Sequence, residues 1–154
     1  MKLAQCFSRG TLAIESRDPL VPPAIQLNLL SDERDRVLAR RALRDGLALL
    51  RGESAAASVV RVRDRHGAEL AVAPTDLEID AWLQANAYDT AHLSGGAQLG
   101  APADPRAVAD PAGRVLGTSG LWVADMSLAP TVPRANTHLT AIMFGERIAD
   151  NLAA

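Results

Sequence analysis

Nine prolines, at positions 19, 22, 23, 74, 102, 105, 111, 130 and 133, decide where this chain can sustain regular backbone hydrogen bonding. Each fixes φ, removes a donor and drives the preceding residue out of the helical region. The stretch from Asp18-Pro19 through Pro22-Pro23 to Asn28 is therefore expected to be an extended crossing. Between His92 and Thr118, Gly, Pro, Ala and Asp dominate, which predicts loops and turns. Helices are left with the intervals between these stretches.

Three such intervals carry helical patterning. Ser31 stands where an N-cap is expected, Asp32 and Glu33 follow in the first turn, and Ala39, Leu43, Leu47 and Leu50 recur at helical spacing up to Gly52. Thr75 and Glu78 form a capping-box pair, opening a second helix that should run to about Ala87. After Asn136-Thr137-His138, a closing helix presents Ile142, Gly145, Ala149 and Leu152 on one face. Strand candidates are Leu12–Glu15, Val59–Val62 and Leu121–Ala124, the last apolar on both parities, as in a strand covered on both faces. Ser54–Ser58 is a connector of small residues. With no internal repeat and no composition shift, residues 1–154 read as one α+β domain.

Composition limits the class of function. A chain of 154 residues with 48% hydrophobic and 22% charged residues is long and apolar enough to bury a core, which excludes intrinsic disorder. A net charge of −2 argues against nucleic acid or an anionic membrane as partner, since both require clustered positive charge. Cys6 stands alone, so neither a disulfide within the chain nor a thiolate metal cluster can form. No secretion signal and no membrane-spanning run is apparent, and the cytoplasm is the expected compartment.

Few residues have the chemistry of a site. Gly95–Gly100 misses the dinucleotide fingerprint, having Ala97 in place of its second glycine and Pro102 and Pro105 where a helix should follow. His66 belongs to a polar turn, and the arginines at 34, 36, 40, 41 and 44 read as a wet helix face offset by Asp32, Glu33 and Asp35. Two histidines are too few for a typical metal site, and no nucleophile elbow is present. His92 and His138 stand out because each sits in irregular backbone beside an apolar element. An imidazole titrates near neutrality and can take the proton an alcohol must lose before releasing hydride. On position alone, a packing role is the commoner assignment for each.

The residues nevertheless resemble one family throughout. Ser8-Arg9-Gly10, Leu12, Ile14, Ser16, Asp18-Pro19, Pro22-Pro23, Ile25 and Asn28 are similar to the entry of the carboxyl-terminal domain of the glucose-methanol-choline (GMC) flavin oxidoreductases. Asp104–Val108, Asp110-Pro111, Arg114-Val115, Gly117, Gly120–Asp125, Pro130-Thr131, Pro133, Asn136–His138 and Gly145–Asp150 continue the likeness in the right order. The family's H-x-x-G-T-x-x-M-G segment falls on His92–Gly100, with Gly96 for the usual Thr and Leu99 for the usual Met.

This resemblance implies a mostly antiparallel sheet with flanking helices, ending in a strand and helix that would complete an FAD-binding domain. It implies that His92 and His138 act on the hydroxyl of a small alcohol, choline-like or sugar substrate, one taking the proton and the other holding the oxygen. Hydride would pass to flavin N5. Asp125 and Met126 would approach the ribityl and pyrophosphate part of FAD, and backbone around His138, Leu139 and Thr140 the pyrimidine edge. The Rossmann-type G-x-G-x-x-G unit that grips the ADP half has no counterpart in the sequence. The expected alternatives are thus a catalytic portion of a GMC enzyme, or a non-catalytic remnant or half-enzyme needing a separately encoded FAD-binding partner.

Overall fold

The computed structural model describes residues 2–52, 55, 58, 61–71 and 73–153. In chain order the elements are β1 (Thr11–Ala13), β2 (Ala24–Gln26), α1 (Glu33–Arg51), α2 (Asp76–Asn86), a 3-10 turn (Met126–Leu128) and α3 (His138–Ala153). The fold is α+β, and its sheet is an antiparallel pair of strands. Residues separate into two compact units, one built on Phe7–Asp89 and the other on Thr90 onward with Ala4–Cys6.

In the first unit the proline-rich stretch doubles back instead of crossing. Ser16 Oγ accepts the Asp18 amide at 3.0 Å, Asp18 Oδ1 accepts the Leu20 amide at 3.0 Å, and Val21 N–H closes a turn on Asp18 O. Short polar side chains thus capture the local amides and reverse the chain. The returning strand pairs Thr11 with Gln26 and Leu12 with Ile25. Glycine is required at position 10, where a Cβ would lie 2.1 Å from Gln26 O.

The first helix is capped by Asp32, one residue later than Ser31, because the Asp32 carboxylate accepts the Arg34 amide at 2.9 Å and also pairs with its guanidinium. Ala39, Leu43 and Leu47 are buried as their spacing predicts, whereas Leu50 stays exposed in the last turn. They pack with Ile79 and Leu83 of α2 and with Leu70. Each large aliphatic side chain so buried contributes about 1.5–3 kcal/mol. The second helix starts on the expected capping box, in which Glu78 Oε2 accepts the Thr75 amide at 2.7 Å, and ends at Asn86 with Ala87 as C-cap. Arg40 forks onto Asp80 and also reaches Glu33, joining α1 to α2 above their apolar seam.

Asp35 departs from its expected place on the wet face. Only 2% exposed, it accepts the amides of Phe7 and Ser8 at 2.9 and 2.6 Å and the Ser8 hydroxyl at 2.6 Å. It ties the start of the chain to α1. Val59 and Val60 of the next strand candidate, and Ser54, Ala56 and Ala57 of the connector, lie outside the described residues. Val62 O accepts the Leu70 amide across the turn that carries the exposed His66.

The second unit centres on Ala109, Leu128 and Ile148, with Leu99, Trp122, Val123 and Phe144 packed around them. Leu121–Ala124 is not a strand covered on both faces: among the described residues it pairs with Gly113–Val115, through Val123 N–H to Gly113 O and Val115 N–H to Leu121 O, and it leaves Leu121 and Ala124 exposed. The closing helix buries Ile148 and packs the half-buried Phe144 beside it, so Ile142, Ala149 and Leu152 face outward. No helix among the described residues is long and apolar enough to cross a membrane.

Asp35→Ala is expected to destabilise the protein by about 2–4 kcal/mol in urea unfolding, since two half-buried amides lose a charged acceptor, and Asp35→Asn by less; equal stability of all three proteins would contradict the tie. Acid should act through the paired carboxyls. Hydrogen bonds from the Arg34 side chain and amide hold Asp32 at about 2 against an ordinary 3.8. Arg40 lowers Asp80, and the Thr75 amide and hydroxyl lower Glu78. Depressed carboxyls contribute stability that is complete above their unfolded values and vanishes as pH falls through the folded ones. Thermal midpoints should therefore be level near neutrality and drop between about pH 4 and 2, with a shallower drop in the Asp32→Asn, Asp80→Asn double variant.

Candidate active site

The two histidines singled out by sequence both lie in the second unit and both are exposed. What relates them is the 3-10 turn Met126–Leu128. Three successive carbonyls of this turn accept amides from alternate residues of the His92 segment: Gly95 N–H to Met126 O at 3.2 Å, Ala97 N–H to Ser127 O at 3.0 Å and Leu99 N–H to Leu128 O at 2.9 Å. The third helix, which His138 opens, packs on the same turn. Leu128 and Ile148 share one apolar cluster beneath it.

Backbone geometry around His92 is unusual. Ala91 has φ +57°, a left-handed conformation that an L-residue with a Cβ resists, and Gly95 has φ +81°. The Ser94 hydroxyl donates to the His92 carbonyl at 3.3 Å. Val108 N–H to Gln98 O and Gly100 N–H to Ala109 O, each at 2.9 Å, then fasten the far end of the segment.

His138 and Leu139 are exposed and Thr140 half-buried at the opening of α3, while Thr137 just before them is buried and accepts the Ala141 amide. The first-turn amides of a helix have no partner within it, and its positive pole favours an anion nearby, by about 0.3–2 kcal/mol. Asp125 is exposed and caps the 3-10 turn, its Oδ1 accepting the Ser127 amide at 2.8 Å. The Met126 side chain is buried and its carbonyl serves both Gly95 and Ala129.

Sequence reasoning missed Gly113 and Ser127. Gly113 has φ +78°, and a Cβ there would meet Val123 O at 2.7 Å and Ile148 Cδ1 at 2.6 Å, so it lets the hairpin close against α3. Its signal was the Asp110-Pro111-Ala112-Gly113 turn, in which Asp110 Oδ1 accepts the amides of Ala112 and Arg114. A hollow of about 280 Å³ is lined by Arg114, Thr118, Ser119, Gly120, Leu121 and Trp122, around the turn that runs from positive-φ Gly117 to Gly120. No group of three or more His, Cys, Asp or Glu placed to hold a metal ion occurs among the described residues.

Residues 6–145 match the family model for GMC oxidoreductase, in its carboxyl-terminal part. The chain belongs to the GMC oxidoreductase family. It is 39% identical over 159 residues to a 5-(hydroxymethyl)furfural oxidase of Methylovorus sp., covering 93% of this chain and 28% of that protein. It is also 39% identical over 143 residues to an oxygen-dependent choline dehydrogenase of Vibrio vulnificus, covering 93% and 25%. Among solved structures, an FAD-dependent oxidoreductase from Chaetomium thermophilum superposes with a TM-score of 0.81 at 28% identity, over 96% of this chain and 25% of that one. Pyridoxine 4-oxidase from Mesorbium loti gives the same TM-score at 24% identity, over 96% and 28%, a likeness of fold. This GMC chain thus spans about a quarter of the length of the relatives it matches.

Gly113→Ala is expected to cost about 2–5 kcal/mol, from the left-handed backbone and the overlap with Val123 and Ile148 together. Chemical denaturation checks it, with Gly46→Ala, whose Cβ would meet nothing within 4 Å, as the tolerated control.

Proposed function

We propose that this chain is the substrate-side, catalytic portion of an FAD-dependent GMC oxidoreductase that oxidises a CH–OH donor. The observation that carries the reading is the common anchorage of the His92 segment and the His138 helix on Met126–Leu128. Names of relatives agree with a CH–OH donor: one is an oxidase of a hydroxymethyl compound and another a choline dehydrogenase.

The donor set fits one half of the cofactor. First-turn amides at His138, Leu139 and Thr140 suit the anionic pyrimidine edge of a reduced isoalloxazine, with Asp125 and Met126 toward the ribityl and pyrophosphate part. The sequence offers no glycine-rich turn for the ADP half, which a flavin-binding region outside these residues would have to hold. Bound FAD would supply the hydride acceptor. His92 takes the hydroxyl proton from the substrate, and His138 holds the substrate oxygen by a hydrogen bond. Exposure leaves both imidazoles accessible to a small alcohol.

A specific feature of α3 favours the second reading, a module that functions only with a separate FAD-binding partner. Leu139, Ile142 and Met143 are 77, 47 and 50% exposed. At 100° per residue they lie opposite Phe144 and Ile148, so the helix is apolar on two faces and only one is covered within this unit. Mixing the chain with FAD, desalting and recording the visible spectrum separates the readings. Retained flavin that bleaches on addition of an alcohol supports catalysis by this chain, and loss of all flavin supports dependence on a partner.

In flavin-loaded enzyme, His92→Ala is expected to lower turnover by about 10²–10⁴ with flavin still bound. Unchanged turnover would remove His92 from the mechanism.

A further inference from the structure

We infer that Asp125 is a positioning residue for His92, acting through the 3-10 turn that it caps. The inference rests on the reading of His92 as the base. A 3-10 turn of three residues has too few internal hydrogen bonds to persist alone. This one is closed by Leu128 N–H to Asp125 O and Ala129 N–H to Met126 O, both at 3.1 Å, and its open amino end is satisfied by the Asp125 carboxylate. Oδ1 accepts both the amide and the hydroxyl of Ser127.

The consequence reaches His92 because the same turn is the template on which Gly95, Ala97 and Leu99 lie. If the turn unwinds, Met126, Ser127 and Leu128 carbonyls no longer point at those amides. Gly95 then loses its anchor, and His92, whose carbonyl accepts the hydroxyl of the adjoining Ser94, moves with it. A strained backbone conformation persists only where its surroundings over-determine it. Residues 95–100, just after the strained Ala91 and His92, are held by the turn on one side and by Val108–Ala109 on the other.

The test needs neither flavin nor substrate. In the 154-residue chain, amide hydrogen exchange at Gly95, Ala97 and Leu99 is measured together with the ring proton resonances of His92 and His66. Asp125→Ala is expected to speed exchange at the three amides by roughly 2- to 30-fold, the range an N-cap removal gives. The His92 resonance should shift or broaden while that of His66, in the other unit, stays put. Asp125→Asn keeps an acceptor at the cap and should restore both.

Native exchange and an unmoved His92 signal in Asp125→Ala would overturn the inference, as would failure of Asp125→Asn to restore them. Should Asp125→Ala also expose the Gly113 and Val123 amides, the unit as a whole has loosened, and Ser127→Ala decides. That variant removes one of the two bonds to Oδ1, and acceleration confined to the same three amides supports the coupling, whereas none overturns it. Loss of the base assignment would show only in the turnover of His92→Ala, so the two ideas fail separately.

Discussion

Much of the second unit has no helix or sheet to satisfy its backbone, and its shape therefore depends on hydrogen bonds between loops. Buried or half-buried amides without partners are costly, at about 1–3 kcal/mol each. The carbonyls of Met126–Leu128 meet this need for the His92 segment, Ala109 and Gln98 meet it for the next loop, and Gly113 and Leu121 close the hairpin. Because each of these loops borrows its order from another, the small apolar cluster of Ala109, Leu128 and Ile148 serves mainly to hold donors and acceptors in register. A site assembled this way is specific in geometry while having little regular structure of its own.

The first unit solves the same problem by different means. Two helices seal an apolar seam, and the polar connections are charged: Arg40 with Asp80 and Glu33 across the helices, Asp35 with the amides of Phe7 and Ser8 at the chain start. Asp35 is the more consequential because it is buried and serves backbone, where water cannot replace it. The exposed ion pairs at α1 are screened and individually weak.

Local patterns were the legible part. Thr75 and Glu78 named the start of α2 because a capping box satisfies its amides within four residues, and Ala39, Leu43 and Leu47 named the buried stripe of α1 for the same reason of short range. The family likeness, spread over Ser8 to Asp150 in order, was legible because many spaced residues agree. Illegible were features set by distant neighbours. Leu121–Ala124 has the composition of a doubly covered strand but, among the described residues, is paired on one side, and α3 turns Phe144 and Ile148 inward although Ile142, Ala149 and Leu152 also make an apolar face. Either face of such a helix could turn inward, and the one chosen packs Phe144 and Ile148 into the cluster with Ala109 and Leu128. Asp35 looked like one more surface carboxylate until the chain start folded over it.

Sequence alone determined where backbone could be helical, which residues could titrate near neutrality, and which family the chain belongs to, because these depend on residue type, spacing and order. Tertiary structure decided what those residues do to one another. The turn at Met126–Leu128 became a template for the His92 segment through hydrogen bonds spanning some thirty residues, and bonds of that range are chosen by the folded chain as a whole rather than by any local run of side chains.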